Sequence, residues 1–156
     1  MTDDESKGSV TTGVTMRCDI RWGDMDALGH VNNIVYFQYC ESARIAYFER
    51  LDYERLREHD RQGPGMVAAN LNFRRQLTYP GAVDITAHVT SISRKSFSLA
   101  YEIHEVATGE LAADGSSVCL WVDYARGKAL PLPEKLVMGI VAIENNPALG
   151  ERDGGA

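Results

Sequence analysis

The feature that most constrains the fold of this chain is a long apolar run that directly follows a polar cluster. Residues 34–48 contain 11 apolar side chains in 15, and neither glycine nor proline occurs between Gly29 and Gly63. The polar positions within the run (38, 41, 42 and 44) are too few to form a complete solvent-facing side. The run therefore predicts a long helix that is buried on most sides, enclosed by the rest of a 156-residue chain.

Strand-like alternation flanks this helix on both sides. Residues 14–22 alternate strictly between apolar and polar side chains, and further strands are predicted at 66–77, 83–93, 96–106 and 116–124. Short turns such as "YPGA" and "ATGE" separate consecutive strands, which makes them antiparallel neighbours. The order predicts an α+β fold, with a curved antiparallel sheet of about five strands wrapped around one long central helix. Pro133 is placed to begin a terminal helix.

Length and composition indicate a single domain over residues 14–145, with flexible polar tails at 1–13 and 146–156. A net charge of −6 disfavours binding to nucleic acid or to an anionic membrane. The first 13 residues lack the basic start and apolar run of a signal peptide, and the three cysteines form no CxxC pair. We expect a cytoplasmic protein that binds neither nucleic acid nor membranes.

The polar cluster "GDMDALGHVNN", residues 23–33, precedes the apolar run. Its first part matches the start of a calcium-binding loop, but Leu28 and Val35 stand where side-chain oxygens are required. No metal site is expected. Asn32 or Asn33 could cap the helix, a structural role that explains only part of the cluster.

A catalytic role accounts for more of the residues in this polar cluster. The first turn of a buried helix presents unpaired N–H groups and a positive dipole end, which stabilise negative charge on a carbonyl oxygen. A neighbouring carboxylate, Asp24 or Asp26, is favoured in its ionised form there and can attack a carbonyl carbon or deprotonate water. Gly29 allows close approach of the backbone to a substrate.

The stretch "GDMDALGHVNNIVYFQYCESAR" resembles the signature of the hotdog-fold acyl-CoA thioesterases, the 4-hydroxybenzoyl-CoA thioesterase-like family. The resemblance extends over about residues 14–125, including "FRRQLTYPGAVDITAHVTSISRKSFSLAYEIHE". It implies hydrolysis of an acyl-coenzyme A by a homodimer or homotetramer. Coenzyme A enters as part of the substrate, and no cofactor is implied.

The resemblance also implies roles for individual residues. By position, Asp26 is the catalytic carboxylate and the backbone N–H near Asn33 is the oxyanion donor, and His30 is a candidate for positioning water or substrate. The implied substrate-binding residues are Gly29, Asn32, Tyr36, Glu41, Arg94, Lys95 and Ser96. The last three match a segment that lies near the coenzyme A phosphates in the family. Glu41 could instead pair with Arg44, and Arg74 and Arg75 are expected on opposite faces of a strand.

Few groups suffice for a thioester, because a thiolate leaves near neutral pH without a strong general acid. The sequence contains no G-x-S-x-G elbow, and Cys40 inside an apolar helix is expected to be inert. Two alternatives stay open: a non-catalytic acyl-thioester-binding module and, less favoured, a hotdog-fold hydratase or dehydratase. The acyl group, the carrier (coenzyme A or acyl carrier protein), dimer against tetramer, and nucleophile against general base also stay open.

Overall fold

The computed structural model describes residues 12–52 and 61–151. Seven strands and helices precede the C-terminal helix in chain order: β1 (Val14–Ile20), α1 (Asn33–Arg50), β2 (Gln62–Phe73), β3 (Gly81–Ile92), β4 (Ser96–Glu105), β5 (Leu111–Asp123) and β6 (Lys128–Ala129). Helix α2 (Glu134–Glu144) follows. Short 3-10 turns lie at Trp22–Asp24 and Pro147–Gly150.

The strands form one antiparallel sheet in the order β1-β3-β4-β5-β2, as the short turns predicted. The sheet has six strands rather than about five, because the two-residue strand β6 pairs with the end of β5. Strand β2 runs from Gln62 to Phe73. Both of its ends therefore lie earlier in the chain than those of the strand predicted at 66–77. Within the described residues, β2 pairs only with β5 and is therefore an edge of the sheet.

Helix α1 starts where the sequence predicted, and Asn32 is its cap. One face of α1 packs against β1, β3 and β4, with buried side chains at Val35, Tyr36, Tyr39, Cys40, Ala43, Tyr47 and Phe48. The expectation that α1 is buried on most sides is wrong for the single chain. Ile34 is 63% exposed, and Phe37 and Ile45 are exposed as well. The reason is that a groove separates this side of α1 from β2, so no element of the described chain covers it.

The predicted terminal helix is present as α2, and a buried carboxylate at its last residue joins it to two other elements. Glu144 Oε1 accepts hydrogen bonds from the Tyr47 hydroxyl at 2.7 Å and from the Val89 amide at 2.8 Å. His88 Nδ1 lies 3.4 Å from Glu144 Oε2. Burial, together with the hydrogen bond to Glu144, raises the pKa of Tyr47 above its usual value.

The chain ends differ in part from the predicted tails. Residues 1–11 and 152–156 lie outside the described residues. Within the predicted C-terminal tail, however, Pro147–Gly150 form a 3-10 turn whose Leu149 packs against the core. Neither described helix is long and apolar enough to span a membrane.

Candidate active site

The polar cluster folds into a tight loop that ends at the start of α1. The Asp26 amide donates to the His30 carbonyl at 3.0 Å, and the Gly29 amide donates to the Asp26 carbonyl at 3.0 Å. This turn places Gly29 at φ +82°, a conformation that a side chain strains. Gly29 therefore serves the loop conformation, and its neighbours Leu28 and His30 face the cavity described below.

The structure separates the two aspartates that the sequence left in competition. Asp24 is 7% exposed, and its carboxylate accepts a hydrogen bond from the Arg21 amide at 2.8 Å. Its carbonyl also accepts from the Asn32 amide at 2.9 Å. Asp24 thus holds the loop together from inside, whereas the side chain of Asp26 is exposed.

The Asp26 carboxylate is oriented by two donors. Its Oδ1 accepts a hydrogen bond from the Leu28 amide at 2.9 Å, and its Oδ2 accepts from Asn32 Nδ2 at 3.3 Å. The carbonyl side of the same Asn32 amide, Oδ1, caps α1 by accepting from the Ile34 amide at 2.9 Å. The carboxylate is therefore fixed directly beside the first turn of the helix.

Among the residues that the structure describes, the first turn of α1 leaves the Asn33 amide without an acceptor. The Ile34 amide is capped by Asn32 Oδ1, and the Val35 amide donates to the Asn32 carbonyl at 2.9 Å. The Asn33 amide donates to no other group among the described residues. It lies at the positive end of an 18-residue helix, where negative charge is stabilised.

Asp26 and Asn33 line one cavity of about 330 Å³. Its other lining residues are Leu28, His30, Val31, Tyr36, Phe73, Arg74, Arg75 and Gln76. Tyr36 is buried, and its hydroxyl donates to the Arg75 carbonyl at 2.9 Å, so its side chain forms a fixed wall. Burial raises the pKa of Tyr36, which keeps its hydroxyl protonated.

Glu41 lies by a second cavity, of about 130 Å³, in the groove between α1 and β2. Its side chain is exposed and forms no ion pair with Arg44 among the described residues, contrary to the alternative that paired them. Instead, the Arg44 guanidinium donates to the Tyr101 hydroxyl at 3.1 Å. Cys40 also lines this cavity, and burial raises the pKa of its thiol to about 12.

The structure does not bring Arg94, Lys95 and Ser96 near Asp26 of the same chain. They lie at the turn between β3 and β4, whereas the loop of Asp26 follows Ile20, which pairs with Gly81 at the other end of β3. Strand β3 has 12 residues and is about 36 Å long, and the turn and the loop of Asp26 lie at its opposite ends. Main-chain hydrogen bonds fix the turn, since the Lys95 carbonyl accepts from Trp121 and the Arg94 carbonyl accepts from Leu132.

Arg74 and Arg75 also lie at the site of Asp26, although strand alternation predicted that they would lie on opposite faces of a strand. Both line the cavity of Asp26. The reason is that β2 ends at Phe73, and both arginine amides then donate to the Ala112 carbonyl, at 2.8 and 3.0 Å. Arg74 pairs with Asp114 at 3.1 Å and Arg75 pairs with Glu110. The Pro80–Gly81 turn close downstream was the one signal of an early strand end.

No three histidine, cysteine, aspartate or glutamate side chains come together as a metal site within residues 12–52 and 61–151. The polar groups at this cavity include the Asp26 carboxylate, the His30 ring, the Asn33 amide and the side chains of Arg74, Arg75 and Gln76. Such a set can polarise a carbonyl group and deliver an oxygen nucleophile to it.

Comparison with known proteins decides the family. The model of the thioesterase-like superfamily matches residues 20–140, which include the loop of Asp26, the whole of α1 and most of the sheet. The chain belongs to the thioesterase-like superfamily. It is accordingly a thioester hydrolase, and its fold is the hotdog fold that the resemblance implied.

Individual relatives agree with this assignment. The long-chain acyl-CoA thioesterase FadM of Escherichia coli (strain K12) is 27% identical over 117 residues, 75% of this chain and 89% of FadM. A thioesterase from Thermus thermophilus, solved with coenzyme A and Zn, is 32% identical with a TM-score of 0.76, covering 87% of this chain and 97% of that one. The PA2801 protein of Pseudomonas aeruginosa is 29% identical with a TM-score of 0.76, covering 83% and 99%.

Proposed function

We propose that this thioester hydrolase cleaves acyl-coenzyme A to a carboxylic acid and free coenzyme A, with Asp26 as its catalytic carboxylate. The observation that carries the proposal is the cavity shared by the Asp26 carboxylate and the unpaired Asn33 amide. FadM acts on long-chain acyl-CoA and the Thermus thermophilus structure holds coenzyme A, which supports coenzyme A as the carrier.

The reaction needs negative charge to be stabilised on the thioester oxygen. In the proposed mechanism this oxygen accepts a hydrogen bond from the Asn33 amide, and the dipole of α1 adds to the stabilisation. Asp26 either bonds to the carbonyl carbon or takes a proton from a water molecule that does so. The C–S bond then breaks and coenzyme A leaves as a thiolate, with no acid needed to protonate it first.

In the nucleophilic version, water next hydrolyses the mixed anhydride on Asp26 and restores the carboxylate. In the general-base version, water adds to the carbonyl carbon, the C–S bond then breaks to give the acid directly, and the proton held by Asp26 passes to the departing thiolate or to solvent. His30 lines the same cavity and is proposed to position the water molecule. Because water supplies the protons and the carboxylate and amide supply the nucleophile and the charge stabilisation, we propose that the enzyme uses no cofactor and no metal.

We further propose that the active form is a homodimer or a dimer of dimers. The unpaired edge of β2, with Met66 52% and Val67 59% exposed, lies alongside the exposed apolar side of α1. A second copy placed there would cover both. The β3–β4 turn with Arg94 and Lys95 is too far from Asp26 of its own chain, so its charges would serve the coenzyme A phosphates at the partner's site.

The decisive experiment measures release of coenzyme A from short, long and aromatic acyl-CoA thioesters with a thiol-reactive dye. Asp26→Asn should reduce kcat/KM by about 10²-fold to 10⁴-fold without changing the folded state. Asp19→Asn, an exposed carboxylate on β1, is the matched control and should keep full activity. EDTA should leave the rate unchanged. Saturable coenzyme A binding without any release of thiol would favour the binding-module alternative.

A further inference from the structure

The second cavity has a floor of linked polar groups. Arg44 Nη1 donates to the Tyr101 hydroxyl at 3.1 Å, and the Tyr101 hydroxyl lies 2.7 Å from Ser117 Oγ in a further hydrogen bond. Tyr101 and Ser117 are each 2% exposed. Within residues 12–52 and 61–151, Arg44 forms no ion pair with a carboxylate. The half-buried guanidinium of Arg44 therefore lines the cavity and has N–H groups available for further hydrogen bonds.

The two cavities lie one after the other along α1, and none of the lining residues is shared between them. The first is lined by α1 residues 33 and 36, and the second by α1 residues 34–44. Strand β2 runs beside them in the opposite direction, with Phe73 against Tyr36 (ring centroids 5.2 Å apart) and Met66 at the far end. Arg44 lies about 16 Å along the helix from Asn33, and its guanidinium is directed at the Tyr101 hydroxyl on the sheet.

The lining changes in character along this path. Along α1, the apolar lining residues Ile34 and Phe37 lie nearer the Asp26 end, and Arg44 lies farther from it, where its guanidinium contacts Tyr101. An alkyl chain that reached the far end would remove water from the guanidinium and offer no hydrogen bond in return. An oxygen atom at the same place would accept one.

We propose that this cavity binds the acyl group, and that Arg44 selects acyl groups with a hydrogen-bond-accepting oxygen at the end remote from the thioester. This inference rests on the proposed function, since it places the thioester carbon at Asp26. Arg44 is a specificity-determining residue in this scheme, and Tyr101 and Ser117 hold its guanidinium in place.

Glu41 distinguishes two forms of such an oxygen. Its exposed carboxylate lines the same cavity, one helical turn before Arg44. A terminal hydroxyl can accept from Arg44 and donate to Glu41, whereas a terminal carboxylate gains from the positive charge of Arg44 but is repelled by Glu41. The terminal hydroxyl and the terminal carboxylate both provide the acceptor oxygen that the proposal requires. Substrates of equal chain length that differ only in this terminal group show which of the two is preferred.

The test compares kcat/KM for octanoyl-CoA, ω-hydroxyoctanoyl-CoA and suberoyl-CoA, and for the shorter series hexanoyl-CoA, ω-hydroxyhexanoyl-CoA and adipoyl-CoA. In at least one series we expect an oxygen-ended substrate to exceed the plain alkyl substrate by about tenfold or more. Arg44→Met should bring this ratio close to one. Arg50→Met, an exposed position on the same helix, should leave the ratio unchanged.

The ratio is measured within each variant, so a loss of folded protein does not alter it. If Arg44→Met does not fold, Tyr101→Phe removes only the hydroxyl that holds the guanidinium and should narrow the ratio. Equal or faster hydrolysis of both alkyl substrates by the wild type, with turnover still dependent on Asp26, overturns the inference and leaves the proposed function intact. A preference that survives both substitutions overturns the role of Arg44. No turnover of any substrate removes the proposed function, and the inference with it.

Discussion

Asn32 joins Asp26 to the first turn of α1 through the two sides of one amide group. Its Nδ2 donates to Asp26 Oδ2 at 3.3 Å, and its Oδ1 accepts from the Ile34 amide at 2.9 Å. The direction of the carboxylate and the start of the helix are therefore set by one side chain. Substitutions of Asn32 that remove one or both of these contacts can therefore distinguish its two roles.

Asn32→Ser keeps a capping oxygen but is too short to reach Asp26, whereas Asn32→Ala loses both contacts. We expect both variants to lose about tenfold in kcat, because the carboxylate is no longer held in one direction. Only Asn32→Ala should also lose about 1 kcal/mol of unfolding free energy, because its helix lacks the cap. Steady-state kinetics and urea unfolding measure the two effects. Unchanged kcat in both variants would show that Asp26 does not need this hydrogen bond.

The uncovered side of α1 and the edge of β2 predict how the chain associates. Ile45→Glu combined with Val67→Glu places charge on both exposed apolar surfaces and should convert the assembly to monomers. Sedimentation velocity measures this change, and thiol release should fall with it. Met138→Glu is the control, because Met138 is 63% exposed on α2, away from the groove. An assembly that persists in the double variant would place the interface elsewhere.

The three cysteines should differ in reactivity in the folded protein. Burial raises the pKa of all three thiols, that of Cys40 to about 12, so the order of labelling should follow how far each thiol is exposed. We expect iodoacetamide to label Cys18, which is half-buried, before the other two. Mass spectrometry before and after addition of guanidinium chloride measures the order. Rapid labelling of Cys40 with a matching loss of activity would instead support Cys40 as the catalytic nucleophile.

Tyr47 should contribute stability that depends on alkaline pH. Tyr47→Phe removes the hydrogen bond to buried Glu144 and should cost about 1–3 kcal/mol at neutral pH. The folded-state pKa of Tyr47 is raised, so its contribution is complete below the pKa of a free tyrosine, about 10. As the pH rises above that value the unfolded chain ionises first and the contribution is lost. The difference between wild type and Tyr47→Phe in urea unfolding should therefore shrink above about pH 10.

Much of the architecture was predictable because it depends on local patterns. The cap at Asn32, the extent of α1 and the alternation in β3 and β4 follow from periodicity and from residue type. The exposure of Ile34 and Ile45 was not predictable, since the same apolar run fits a helix covered by its own sheet or by a second copy.

The site was predictable to the same degree and for the same reason. Spacing predicted that Asp24 or Asp26 would lie beside the helix start, and the family resemblance implied Asp26 and the Asn33 amide, which line one cavity. Periodicity misplaced Arg74 and Arg75, because alternation holds only while the strand continues, and β2 ends at Phe73. The chain Arg44–Tyr101–Ser117 joins α1, β4 and β5, and no local pattern indicates such a contact.

The distance between the β3–β4 turn and Asp26 within one chain also has a genetic consequence. In a shared-site dimer, each site combines Asp26 of one subunit with the β3–β4 turn of the other, so Asp26→Asn in one subunit and Arg94→Ala with Lys95→Ala in its partner fall in the same site. One of the two active sites then contains all of the substitutions, and the other contains none. Mixed dimers should thus regain about half of the wild-type turnover, although each parent homodimer is impaired. Two defective alleles of this gene would then complement each other in one cell.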